Sequence, residues 1–229
     1  MECFYASNLD SSTRSLVLEG DESRHLRVLR CTVGDRILLS NGSGIRGVGI
    51  ITAVERDRTH VVIERIEHFP AELPFILSVA IGLLAAQERM EWLLEKCTEL
   101  GVHRIQPLCL EYSEIERLRR PERLQAKMIA ALKQSQRSVL PILDQPKTLE
   151  EVLADADGAV VVCDPRGTAP EPPQGNCLIV VGAEGGFSPR EEQMLEGVHC
   201  QRWSLGGFRL RSETAAIAAV SIVASAWQS

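Results

Sequence analysis

Apolar and polar positions alternate in short runs over residues 1–70, the period-2 pattern of half-buried strands. It predicts strands at 15–18, 36–39, 47–51 and 61–64. Between the second and third runs, Asn41-Gly42 suits a tight hairpin that needs positive φ angles. A small β-barrel or sandwich accounts for this stretch. Pro70 and Pro74 then break strand and helix alike, and the periodicity changes beyond them. A boundary is placed there, between a β domain at 1–72 and a second domain at 73–229.

From Phe75 onward strand and helix patterns alternate, which predicts an α/β sheet with parallel strands and covering helices. Strands are predicted at 76–84, 104–110, 158–163, 177–181 and 200–205. Met90, Leu93, Leu94, Cys97 and Leu100 recur at helical spacing until Gly101 ends the run. A second helix opens on Pro121, where a missing N–H costs nothing, and buries Leu124, Met128, Ile129 and Leu132. Thr148 with Glu151, and Ser188 with Glu191, have the spacing of capping boxes, the latter with Pro189 in the first helical position. The last helix, 215–227, is apolar nearly all round, so other layers or a partner subunit must cover it.

Composition changes this picture little. The formal charge of −6 argues against a protein that coats nucleic acid indiscriminately. Positive charge is nevertheless concentrated: Arg24, His25, Arg27 and Arg30 lie together, and 117–137 carries seven Lys and Arg against the single acid Glu122. Seven cysteines without a C-x-x-C spacing read as reduced thiols, and no metal is expected. No apolar run is long enough to span a bilayer and the opening residues lack a signal-peptide pattern, so a cytoplasmic protein without a membrane partner is expected.

The chemistry concentrates in two glycine loops. The apolar run 177–181 leads into Gly182-Ala183-Glu184-Gly185-Gly186-Phe187 and then a capped helix start. Strand, glycine turn and helix N-terminus therefore meet at the carboxyl end of the sheet, where open α/β proteins bind ligands. The spacing is neither that of a phosphate-binding Walker loop nor that of a dinucleotide fingerprint. Further on, Leu205-Gly206-Gly207-Phe208-Arg209-Leu210-Arg211-Ser212-Glu213-Thr214 places two guanidiniums, a carboxylate and two hydroxyls at the mouth of the last helix. From the residues alone, Arg211 and Glu213 suit either a ligand site or a local ion pair with a helix cap.

The two loops, at 180–192 and 205–216, resemble the cofactor loops of the SPOUT superfamily of methyltransferases. Within it the chain is similar to the ribosomal RNA small subunit methyltransferase E family, which methylates uridine N3 in 16S ribosomal RNA. The match extends to Glu88-Arg89-Met90-Glu91, to 96–102, to Gln134-Ser135-Gln136-Arg137 and to 25–30. Two departures stand out: Ala183 replaces a customary proline, and Phe208 stands where the family usually has an arginine.

The resemblance implies a trefoil-knotted α/β methyltransferase domain preceded by a PUA-like RNA-binding β domain. It also implies a homodimer and S-adenosylmethionine as methyl donor. The cofactor residues would be Val181, Gly182, Glu184, Gly185, Gly186, Leu205, Gly206, Leu210 and Thr214, acting largely through main chain. Arg211 and Glu213 would serve the reacting centre, with Glu213 one candidate for removing the N3 proton. Arg24, Arg27, Arg30 and Arg137 would contact the 16S RNA or the assembled small subunit. The competing readings are a related enzyme acting on a ribose 2′-hydroxyl or on transfer RNA, and a non-catalytic RNA-binding or assembly factor.

Overall fold

A computed structural model describes residues 1–227. Contacts divide the chain into two compact units: residues 1–72 with 129–140, and residues 73–128 with 141–229.

In the first unit a five-stranded sheet runs in the order β1 (Cys3–Tyr5), β3 (Arg36–Ser40), β4 (Ile45–Val54), β5 (Arg58–His68), β2 (Ser15–Glu19). All neighbours pair antiparallel except β1 with β3. Phe4, Leu16, Leu18, Ile37, Leu39, Ile51 and Val61 fill the concave side. The expected barrel is thus a curled sheet, with edge strands β1 and β2 not paired to each other among the described residues. Helix α1 (Gly20–Val28) is an element the hydropathy pattern does not predict. Its only buried residues are Leu26 and Ser23, and the Ser23 hydroxyl meets that of Thr59 at 3.0 Å.

Residues 129–140 fall on the other side of the expected boundary, and buried polar groups explain why. The Arg137 guanidinium donates to Glu72 at 2.6 and 3.0 Å, and Glu72 also accepts the N–H groups of Ser138 and Val139. The Ser40 hydroxyl donates to the Arg137 carbonyl at 2.9 Å. Lys133 reaches Glu22 at 2.7 Å. The helix α3 (Pro121–Ser135) therefore starts in the second unit and ends in the first.

The second unit holds a six-stranded parallel sheet, in the order β11 (Cys200–Trp203), β9 (Ala159–Thr168), β10 (Cys177–Val181), β6 (Leu77–Gly82), β7 (Arg104–Leu108), β8 (Ile142–Leu143). Its central strand β10 is buried throughout, as a parallel strand covered on both faces must be. The helices are α2 (Gln87–Glu99), α4 (Leu149–Ala154), α5 (Pro189–Glu196) and α6 (Ser212–Ala226). Capping boxes form at Thr148 with Glu151 and at Ser188 with Glu191, with Pro189 in the first turn. Helix α6 buries Ala216, Ala219, Val220 and Val223, one stripe at helical spacing, while Ala218, Ser221, Ile222 and Ser225 on another stripe stay partly or fully exposed.

Candidate functional site

The two glycine loops follow β10 and β11, which are not neighbours in the sheet. Strand β9 lies between β10 and β11, paired parallel to both. Its register against β11 slips between Arg202 and Trp203, so that Trp203 pairs with Thr168 and residues 163–167 have no register partner in β11. The loops converge near β9 and, with residues of its carboxyl end, line an open cavity of about 950 Å³, within the size range of small-molecule sites.

Of the expected ligand residues, Val181, Gly182, Glu184, Gly185, Gly186, Leu205, Gly206, Leu210 and Arg211 line this cavity. Thr214 and Glu213 do not. Thr214 lies in the first turn of α6, and the buried Glu213 is paired with Arg89. Glu213, one of the candidates for removing the N3 proton, is thus bound to Arg89 instead of standing in the cavity wall. Both its oxygens accept from the Arg89 guanidinium, at 2.8 Å from Nε and through a further contact with Nη2. Burial would raise this carboxyl, but the Arg89 hydrogen bonds, its own N–H and the charges of Arg89 and Arg211 outweigh that and hold it below its usual range. A carboxylate so held is a weak base.

Arg89, on α2, reaches past Glu213 to Glu184 in the first glycine loop and so ties that loop to the start of α6. Its charge is reinforced first by the Glu213 hydrogen bond. It belongs to a sequence block that carries the family resemblance, but no local pattern assigns it this task.

Other wall residues were also not expected. Cys163, Asp164, Pro165 and Arg166 from β9, Glu192 from α5 and Trp203 from β11 line the cavity. Their signal was present in the sequence: charged residues directly following an apolar run mark the carboxyl end of a strand. Arg202 donates to Asp164 at 2.7 Å and to Glu192 at 2.8 Å, and Arg166 joins both acids. Desolvation opposes ionisation of Asp164, but the Arg166 and Arg202 hydrogen bonds bring its pKa down to about 2, so it is charged at any working pH. The Cys163 thiol is pushed up to about 12 by burial and stays protonated, which removes it as a nucleophile.

The glycines divide by what surrounds them. A Cβ on Gly82, at the end of β6, would lie 2.6 Å from the Ala183 main chain, so this glycine lets the first loop close against the sheet. A Cβ on Gly185 would meet Tyr112 at 3.0 Å, so Gly185 answers at least in part to packing. Gly186 and Gly206 need glycine for their positive φ angles of 81° and 121°. Gly207 needs it for neither reason, having an ordinary φ and no atom within 4 Å of an added Cβ.

In the first unit Arg24, Arg27 and Arg30 are exposed on and just after α1. Arg24 pairs with Asp21, and Arg27 lies 4.0 Å from Asp57, in exposed contacts that a phosphate can replace at little cost. Arg137 is a correction: its side chain is 3% exposed and bound to Glu72, out of reach of RNA.

The RNA methyltransferase domain model matches residues 71–224, and the RNA methyltransferase PUA domain model matches 18–64. The chain belongs to the RNA methyltransferase family. Among its relatives is the ribosomal RNA small subunit methyltransferase E of Bacillus subtilis, 27% identical over 90% of this chain and 88% of that protein. The crystal structure of the corresponding Neisseria gonorrhoeae protein bound to S-adenosyl methionine superposes with a TM-score of 0.88 at 28% identity, over 99% of this chain and 98% of that one. A probable rRNA-methyltransferase from Porphyromonas gingivalis gives a TM-score of 0.85 at 30% identity, over 100% and 99% of the two chains. This RNA methyltransferase therefore has the SPOUT fold, with its PUA domain in the first unit and its cavity in the second. No helix among the described residues is long and apolar enough to cross a membrane.

Proposed function

We propose that this enzyme transfers a methyl group from S-adenosylmethionine to N3 of a uridine in the 16S RNA of the small ribosomal subunit, in the cytoplasm. The observation that carries this reading is the cavity walled by two glycine loops with Arg211 at its edge, in a chain alike over its whole length to small-subunit rRNA methyltransferases. The walls suit the donor. Glycine main chain offers N–H and C=O groups to an adenine and a ribose, and acidic Glu184, Asp164 and Glu192 suit its cationic end. When bound, S-adenosylmethionine supplies a methyl already activated on a sulfonium.

The protein's share is to hold and polarise the base. Uracil N3 loses its proton, its lone pair forms the new N–CH₃ bond, and the electrons of the broken C–S bond stay on sulfur. Alignment of the reacting atoms can remove roughly 7 to 11 kcal/mol of barrier. Arg211 is exposed at the cavity edge as the residue preceding α6, and its side chain caps nothing. A guanidinium there can donate to a uracil carbonyl oxygen as negative charge spreads onto it. With Glu213 bound to Arg89, the proton passes to water at the open mouth. N3 lies on the pairing edge, so the base must be unpaired, and Arg24, Arg27 and Arg30 would grip the adjoining phosphates.

The test is to incubate the purified protein with tritiated S-adenosylmethionine and small subunits from a strain lacking the activity, then digest the RNA to nucleosides. Label is expected in 3-methyluridine. Label in a 2′-O-methylated nucleoside, or in added transfer RNA alone, would replace this reading with the related enzyme. Failure to bind S-adenosylmethionine by calorimetry would leave a non-catalytic RNA-binding factor.

We also propose a homodimer in which a second copy covers the exposed α6 stripe of Ala218, Ser221, Ile222 and Ser225. Ala218, Ser221 and Ser225 are small enough to let another helix approach closely, and Ile222 among them is an apolar side chain that a second copy would cover. Light scattering at micromolar concentration is expected to give twice the chain mass; a stable monomer would count against the dimer.

A further inference from the structure

Phe208 is the most exposed large apolar residue of the described chain, at 89% relative exposure, and it lines the cavity. Single exposed hydrophobic side chains are ordinary on protein surfaces and by themselves mark nothing. Two further observations separate Phe208 from that background. Its predecessor Gly207 lacks a side chain although neither backbone angle nor packing within the chain requires this, so space beside the loop is kept free. On its other side Arg209 is exposed and also lines the cavity, with Arg211 two residues on. A solvent-facing aromatic ring, an adjacent empty volume and two guanidiniums on one short loop are the elements that receive an unstacked nucleobase and its phosphates.

We propose that Phe208 stacks on a nucleobase of the RNA at the mouth of the cavity, as a substrate-positioning residue. The assignment rests on the function proposed above and adds to it where the base is held. A base drawn out of its helix loses stacking on both faces, and the Phe208 ring restores one of them. The phenyl face accepts any base, so recognition of uracil itself must come from hydrogen bonds such as those of Arg211. The solvent-facing ring favours the incoming RNA over the cofactor as the stacked ligand, because glycine main chain rather than an exposed side chain would hold the cofactor.

The experiment compares wild type with Phe208→Ala, Phe208→Leu and Phe208→Trp, using small subunits and tritiated S-adenosylmethionine, with cofactor affinity measured separately by calorimetry. A stacking role predicts that Phe208→Ala lowers kcat/KM for the subunits by about tenfold, that Phe208→Leu does nearly the same, and that Phe208→Trp retains activity. Cofactor affinity and melting temperature should stay within about twofold and a few degrees of wild type. Three results would overturn the proposal: equal activity in Phe208→Ala, rescue by leucine as good as by tryptophan, or a loss confined to cofactor affinity. A shift of Phe208→Ala to monomers in light scattering would reassign the ring to a subunit contact. Wild type labelling a nucleoside other than 3-methyluridine would defeat the uridine-N3 reading alone, since the stacking comparison is made on whichever base is labelled.

Discussion

Replacing Arg211 by alanine is expected to lower methyl transfer by roughly 100-fold or more while melting temperature and S-adenosylmethionine affinity stay near wild type. Among the described residues its side chain has no hydrogen-bond partner, and it acts on Glu213 only through its charge, so little of the fold depends on it. Donors preplaced for charge that develops during reaction are worth about 2.7 to 4 kcal/mol, because they need no reorganisation at the moment of transfer. The loss should appear mainly in kcat, since the carbonyl carries its extra negative charge only as N3 is deprotonated. Lysine at this position should recover part of the activity, because it keeps the charge without the planar pair of donors. Near-normal turnover of Arg211→Ala, or a loss that follows unfolding, would remove Arg211 from the reacting centre.

Arg89→Ala is expected to act through the opposite balance, costing stability first. Glu213 would remain buried with only its own N–H and the charge of Arg211 to support it, and breaking a buried ion pair from one side typically costs about 3 to 5 kcal/mol. For a chain of this size that is a fall of roughly 6 to 20 °C in melting temperature. The first glycine loop loses its tie through Glu184 as well, so cofactor affinity should drop even at temperatures where the variant is folded. Adding Glu213→Leu should return much of the stability, because the uncompensated charge goes too. Acid should erase the difference between wild type and Arg89→Ala. The folded-state pKa of Glu213 is depressed from 4.5, so the pair contributes fully above that pH and loses its contribution as pH falls through the lower folded value. A single variant as stable as wild type, or a gap that widens in acid, would contradict this account.

Much of the second unit was legible because its signals are local. Strand β10 is the apolar run 177–181 itself, and both capping boxes lie where Ser or Thr stands three residues before Glu. The glycine loops were legible for the same reason, and they line the cavity. Helix α1 was not, since only Leu26 among its apolar residues is buried and no stripe repeats. The three-residue β1 depends on a parallel partner more than thirty positions away. The position of β9 between the two loop strands, and with it the contribution of Asp164 and Arg166, is set by pairing across the sheet, which no window of sequence records. Arg89 and Glu213 are 124 residues apart, so no local pattern joins them. Arg137 misled for the matching reason: a basic run suggested solvent, and only the fold brings Glu72 to it.

The return of residues 129–140 to the first unit gives that unit an unusual schedule during synthesis. Its sheet-forming residues have all emerged once the chain passes residue 72, yet the groups that satisfy Glu72 and Ser40 come from Arg137, Ser138 and Val139. At about 5 to 20 residues per second, the interval between the two is several seconds. The nascent PUA domain must wait through that interval with the Glu72 carboxylate and the Ser40 hydroxyl still lacking these partners, while the start of the methyltransferase domain is already being made.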